Sequence, residues 1–283
     1  MSIENSIEGE QGISEILPLK EKLAYGLGQM PGAFFYAVMG LIQSFYYAWM
    51  GLQSGWITIA QIIYAIWNML NDPIFGNIIG NTRFLNKKRN EVQRYIPYIK
   101  FGAPLLSISF AVVFFPPDAW KGNLDVSVQA WLFAWYLVSQ LLFDTMYTLV
   151  LCAYVALLPQ MTLNQREREK TQLFTTLFGL PAVVLGFIIP IMYLSNPTVE
   201  SIGSFQILVI LLAIFGVVPY LLVSIYVREH PEHIPEEKTG LIKSIKIAFK
   251  NPSFIIYVIY DGVSVFILNS IIVAVPFYIT WVI

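Results

Sequence analysis

The sequence has one cysteine, two histidines and little charge. Cys152 alone cannot close an intrachain disulfide, and together with His230 and His233 it offers no zinc-type ligand spacing. No metal site and no resident cofactor is expected. The chain has no Gly-x-Ser-x-Gly element and no His/Asp/Glu cluster, so it does not read as an enzyme. Charged residues make up 12% of the chain, against about 25% in a typical soluble domain. The net charge of -1 leaves no basic stripe for nucleic acid. The largest gap runs from Leu23 to Asn71, where no Asp, Glu, Lys, Arg or His occurs. Two membrane spans and a turn account for such a gap, and a soluble domain does not need one.

Apolar residues fill the space that charge leaves. A bilayer needs roughly 20 of them per helix. Seven runs qualify, near 23–50, 56–80, 95–116, 128–158, 171–195, 203–227 and 252–283. Gly51 to Gly55 splits the first two as a turn. Basic residues gather in alternate connections: Arg83, Lys87, Lys88, Arg89 and Arg94, then Arg166, Arg168 and Lys170, then Arg228, Lys238, Lys243, Lys246 and Lys250. The intervening loops carry Asp118, Asp125 and Glu200, with Lys121 as the only base. The positive-inside rule therefore places the N-terminus and the basic loops in the cytoplasm of a multi-pass cell-membrane protein, with the lipid bilayer as its first partner.

The expected organisation is an acidic cytoplasmic tail at 1–22, a six-helix unit at 23–227, a cytoplasmic linker at 228–250 and a seventh span at 251–283. The tail lacks the basic start and short apolar core of a signal peptide. Within the linker, Leu241–Lys250 alternates Lys243, Lys246 and Lys250 with Ile242, Ile245 and Ile247, the pattern of an amphipathic helix lying on a membrane surface. An apolar run reaching Ile283 with no polar tail is an abrupt end, and a fragment of a longer protein is expected. The fold class is all-α: a polytopic transmembrane helix bundle of about seven spans.

Three carboxylates lie inside spans: Asp72, Asp144 and Asp261. An acid at mid-membrane costs at least about 2.5 kcal/mol, so it faces a partner or a wet cavity. No basic residue on a span offers itself as partner, which points to a bound cation or a mobile proton. Asn68 and Asp72 stand four residues apart on one helical face and can supply oxygen ligands to a small cation. Asp144, Tyr147 and Thr148 form one stripe that suits either a hydroxylated solute or helix–helix bonding. Trp67 is placed to stack on a ring if it faces the cavity. Asp261 stands beside Gly262, and its orientation is not legible from the sequence.

Several motifs carry a resemblance. Trp67 to Gly76 (WNMLNDPIFG) with Asn81-Thr82-Arg83 is similar to the second-span signature of the glycoside–pentoside–hexuronide:cation symporters, a branch of the major facilitator superfamily. Tyr147-Thr148, Leu158-Pro159 and Thr162 to Glu169 (TLNQRERE) resemble the family's fourth span and the loop after it, and Lys22 to Gly28 (KLAYGLG) resembles its first helix. The resemblance implies two six-helix halves that alternate access around a central site. This chain would supply the first half and helix 7, with a second half as partner if it is truncated. The Arg and Glu clusters of the two basic loops can pair across helices when a cytoplasmic gate closes, with Arg83, Arg166, Glu167, Arg168 and Glu169 as candidates, while topology alone, positive charge retained inside, accounts for them equally well.

The chain departs from sugar-carrying relatives at several positions. Gly32 and Ala33 replace a Lys-Asp pair, and Asn68 replaces the first of two span-2 acids. Leu151 replaces the span-4 acid, Val155 a nearby Trp, and Thr176 a helix-5 Arg. Asp72 is kept, and Asp144 offers a carboxylate from a different turn. The expected function is a symporter driven by sodium or protons, with sugars or glycosides first among small solutes. The apolar replacements favour, as an alternative, a lysolipid or other amphipathic cargo. From another class, a seven-span receptor or retinal protein matches the span count, but the last span holds no Lys for a Schiff base.

Overall fold

Local chemistry sets where the helices start and stop. The computed structural model describes residues 16–86, 91–194, 199–230 and 240–282. Its long helices are α1 (Leu19–Trp49), α2 (Ser54–Asn81), α3 (Ile96–Val113), α4 (Val126–Met161), α5 (Gln165–Leu194), α6 (Val199–Tyr226) and α8 (Pro252–Val282), with the short α7 at Leu241–Lys250. The seven long helices occupy the seven apolar runs. The expected tail boundary at residue 22 moves, because α1 already begins at Leu19. Residues 1–15 of the tail, together with Lys87, Lys88, Arg89, His233 and Lys238, lie outside the described residues.

Glycine and asparagine make the tight turns. Gly51 takes φ 93°, a left-handed conformation open to glycine, and ends α1 while Leu52 N–H bonds back to the Tyr47 carbonyl at 3.0 Å. Asn164 caps α5, its Oδ1 accepting from Arg166 N at 3.0 Å. Asn251 caps α8 in the same way, accepting from Ser253 N at 3.0 Å with Pro252 as the first helical residue.

A feature outside the all-α expectation is a small hairpin. β1 (Phe84–Asn86) pairs antiparallel with β2 (Glu91–Gln93), Leu85 facing Val92. It sits in the basic loop between α2 and α3, and Asn86 Nδ2 bonds Gln93 Oε1 across it at 3.3 Å.

Contacts divide the chain into two compact units, Met1–Glu236 and Glu237–Ile283. The division falls inside the expected linker. In the first unit α1 packs against α5 and α6, α3 against α4 and α6, and α2 against α4. Small residues let α1 and α5 approach: a methyl group on Gly186 would come within 2.9 Å of the Phe34 carbonyl oxygen. Among the described residues, four helical segments are long and apolar enough to cross a bilayer: Ile96–Trp120, Val126–Met161, Gln165–Pro190 and Ile202–Tyr226. α2 is more polar because it carries Gln61, Asn68, Asn71, Asp72, Asn77 and Asn81. In the second unit, α7 presents Lys243, Lys246 and Lys250 to solvent, and Phe249 meets Phe254 of α8 edge-on.

Two buried carboxylates brace the end of the first unit that carries the basic loops. Glu229, just past α6, is 2% exposed. Its Oε1 accepts from Tyr95 N at 2.9 Å and Ile96 N at 2.7 Å, and its Oε2 accepts from Arg94 N at 2.6 Å. It therefore caps α3, where free N–H groups and the helix dipole favour an anion. Burial pushes the Glu229 carboxyl above its usual range, while the backbone N–H groups and Arg94 hold it back. Glu167, at the start of α5, pairs with Lys22 at 2.5 Å and Lys170 at 2.8 Å, and accepts from Leu17 N at 3.2 Å.

Candidate functional site

α2 and α4 run side by side in parallel, and a ladder of polar side chains joins them. Asn68 Nδ2 donates to Asp144 Oδ1 at 3.0 Å, and Asn71 Nδ2 donates to Asp144 Oδ2 at 2.8 Å. Asn71 Nδ2 also reaches Thr148 Oγ1 at 3.1 Å, and Thr148 Oγ1 donates to Asp72 Oδ1 at 3.0 Å. The Tyr64 phenol points at the same Asp144 carboxylate. Thr148 and Asn71 together thus link two carboxylates from different helices. Asp144 is 3% exposed, whereas Asp72 is open on its other side.

The ladder faces a cavity of about 890 Å³ between α1, α2 and α4. That volume falls in the ~300–1,000 Å³ range of small-molecule sites. Asn68, Asp72, Asp144, Tyr147 and Thr148 line it, and so does Tyr64. Among the described residues, none that lines it is Lys, Arg or His. The cavity is divided along its length. Toward the end away from the basic loops stand Gln43, Gln61 and Gln140; toward the basic end α4 contributes Leu151, Val155, Ala156 and Pro159. Chemically, the middle of the cavity can attract a cation or a hydroxylated group, and its basic end can shelter apolar surface.

The sequence-derived candidates fall into three places. Five of them meet at the cavity wall. Trp67 does not line it; its Nε1 donates to Thr145 Oγ1 at 3.1 Å on the α2–α4 seam. Asn68 and Asp72 do not converge on each other, since the Asn68 amide turns to Asp144. At the basic end, Glu167 binds lysines where arginines were expected. Arg168 closes the end of α4, its Nε on the Thr162 carbonyl at 2.8 Å and its Nη2 on the Pro159 carbonyl at 3.2 Å. Glu169 Oε1 accepts from Gln165 at 3.1 Å, Arg166 lies in the first turn of α5, and Arg83 lies in the connection between α2 and β1. Asp261 lies exposed on α8 in the second unit.

Sequence reasoning passed over Gln61, Tyr64, Asn71 and Gln140. A signal was present: Gln61, Tyr64, Asn68 and Asn71 recur at three- and four-residue steps, a polar stripe on an apolar helix. Lys22 and Glu229 gave no such signal, because their partners lie far away in the sequence.

Comparison with known proteins agrees with this architecture. A family model described as "MFS/sugar transport protein" matches residues 24–283. The chain is 24% identical over 240 residues to "Putative glycoside/cation symporter YagG" of Escherichia coli, covering 83% of this chain and 48% of that protein. It is 25% identical over 173 residues to "Sodium-dependent lysophosphatidylcholine symporter 1" of Gallus gallus, covering 61% of this chain and 30% of that one. It is also 25% identical over 249 residues to "Putative 2,3-dihydroxypropane-1-sulfonate exporter" of Salmonella typhimurium, covering 85% of this chain and 51% of that one. The chain thus spans about half or less of the length of each of these relatives. Apolar spanning helices, a polar cavity between them and a match over nearly the whole sequence converge on one conclusion: this multi-pass membrane protein belongs to the MFS/sugar transport protein family.

Proposed function

We propose that the chain forms the cavity-bearing part of a secondary active transporter that couples a small solute, with sugars or glycosides first, to a sodium or proton gradient. The observation that carries this reading is the pair of carboxylates, Asp72 and Asp144, joined through Thr148 and Asn71 on a cavity wall without a basic residue. Two negative charges near each other inside a bilayer are costly unless a cation or proton shares the site. Asp72, open to the cavity, is the entry ligand, and Asp144 is the buried second charge. Binding the cation would release the amide of Asn68 or the hydroxyl of Thr148 to meet the solute.

The orientation with the basic loops in the cytoplasm follows from the charge pattern. Alternating access then needs a second half to close the cavity from the side that α2 leaves open.

A second reading has its own observation. Leu151, Val155, Ala156 and Pro159 make the basic-end wall apolar, which suits a lysolipid whose tail lies there. Uptake of labelled methyl galactoside against lysophosphatidylcholine in proteoliposomes, under imposed sodium or proton gradients, separates the two. Asp72→Asn and Asp144→Asn should each lower gradient-driven uptake roughly tenfold or more, equivalent to losing ~1.4 kcal/mol of coupling. Unchanged gradient dependence in both variants would remove the carboxylate pair from the mechanism.

A further inference from the structure

The cavity holds polar atoms that the carboxylate ladder does not use. Gln43 of α1 and Gln140 of α4 are each 3% exposed, and both line the cavity. Among the described residues, Gln43 Nε2 has no hydrogen-bond partner, and neither has Gln140 Oε1. Buried polar atoms are almost always paired, so an unpaired donor and an unpaired acceptor on one wall call for an explanation.

Helix register places the two together. α1 and α4 run antiparallel, and Tyr47 packs on Tyr136 with ring centroids 4.3 Å apart. Tyr36 stacks on Tyr147 at 6.0 Å. Counting one helical turn inward from Tyr47 and Tyr136 reaches Gln43 and Gln140, and two further turns reach Tyr36 and Tyr147. The glutamines therefore face each other in a slot between two aromatic pairs. The amide sense of Gln140 is fixed from behind: its Nε2 donates to Gln61 Oε1 at 3.4 Å, and Gln61 Nε2 donates to Tyr136 OH at 2.6 Å. That leaves the Gln140 oxygen, not its nitrogen, free toward the slot.

The chemistry narrows the guest. A carbonyl only accepts, and an ammonium only donates. A hydroxyl accepts from Gln43 Nε2 and donates to Gln140 Oε1 at once. We infer that Gln43 and Gln140 form a hydroxyl-reading subsite that selects among cargo molecules, set one turn along α4 from Asp144. This rests on the transport reading above and deepens it by assigning specificity to two residues outside the carboxylate ladder.

Cys152 supplies a readout independent of transport, since it lines the same cavity and is partly accessible. The reconstituted carrier is alkylated with membrane-permeant N-ethylmaleimide in the presence of methyl glucoside, methyl galactoside or glycerol. At least one of these should slow alkylation of Cys152. Gln43→Leu and Gln140→Leu should each raise its half-protecting concentration about tenfold to a hundredfold. A monodeoxy analogue of the protecting solute should lose a similar factor in the wild type and little more in either variant. Gln43→Leu should melt no lower than the wild type without solute, because it removes an unpaired buried donor, whereas Gln140→Leu also gives up its bond to Gln61 and should melt slightly lower; a retained cooperative melt in both separates lost recognition from lost folding.

Equal protection in the wild type and both variants overturns the subsite, as it would if water alone filled the slot. Protection by none of the three solutes overturns it as well. Absence of gradient-driven uptake while protection and its loss in the variants persist would overturn the symport reading and leave the subsite standing.

Discussion

Asp144 and Glu229 are both buried carboxylates, and they are held in opposite ways. Glu229 takes three backbone N–H groups at the start of α3. Those donors cannot turn away without unwinding the helix. Asp144 takes side-chain amides from Asn68 and Asn71, and beside them lies an open cavity. Amide side chains rotate, and a cation, a proton or a hydroxyl can replace them. Both carboxylates meet the same demand, that a buried charge be hydrogen-bonded. The first arrangement makes a joint and the second makes a site. Glu167 belongs with the joints, since Lys22, Lys170 and Leu17 N surround it within one unit.

If that contrast is right, the largest stability loss comes from a residue far from the cavity. Glu229→Ala should destabilise the first unit by about 3 kcal/mol, because three N–H groups lose their acceptor at roughly 1 kcal/mol each. Reversible unfolding in mixed micelles measures this. A loss under 1 kcal/mol would mean that water reaches those groups and that the joint is an ordinary loop. Lys22→Met should cost less, about 2 kcal/mol, in the range of a hydrogen bond to a charged group. Glu167 would keep Lys170 and Leu17 N, so the α1 entry should loosen while α5 stays in place. Hydrogen exchange at Leu23 and Ala24 reports that loosening.

The contrast also explains what could be read in the chain. Spans, turns and the α7 helix were legible because they follow composition and period, which are local properties. The gap from Leu23 to Asn71 and the lysine spacing in Leu241–Lys250 needed no knowledge of neighbours. The cavity was half legible. Asp72, Asp144 and Thr148 stood out because acids and hydroxyls in apolar helices are rare, and the stripe through Gln61, Tyr64 and Asn68 was there to be counted. Pairing between helices was not legible. The Arg–Glu gate was read from loop composition alone, and the pairing of Glu167 with Lys22, distant in sequence, had no local signal. Trp67 was assigned by adjacency to Asn68, yet a helix turns about 100° per residue. One step along α2 is enough to carry a side chain from the cavity to the seam.

Trp67 supplies the smallest and most selective test of the contrast. Its indole donates to Thr145 Oγ1, which itself donates to the Leu141 carbonyl at 2.7 Å. The tryptophan bond therefore sits on the seam behind the ladder and touches no carboxylate. Trp67→Phe should cost about 1 kcal/mol of stability, one neutral hydrogen bond with most of the ring packing kept. It should leave protection of Cys152 and the gradient dependence of uptake unchanged. Asp144→Asn should behave in reverse, sparing stability and removing coupling. Should Trp67→Phe alter solute protection by tenfold, the seam and the site would be one mechanical element, and the separation of joint from site would fail at the point where the two lie closest together.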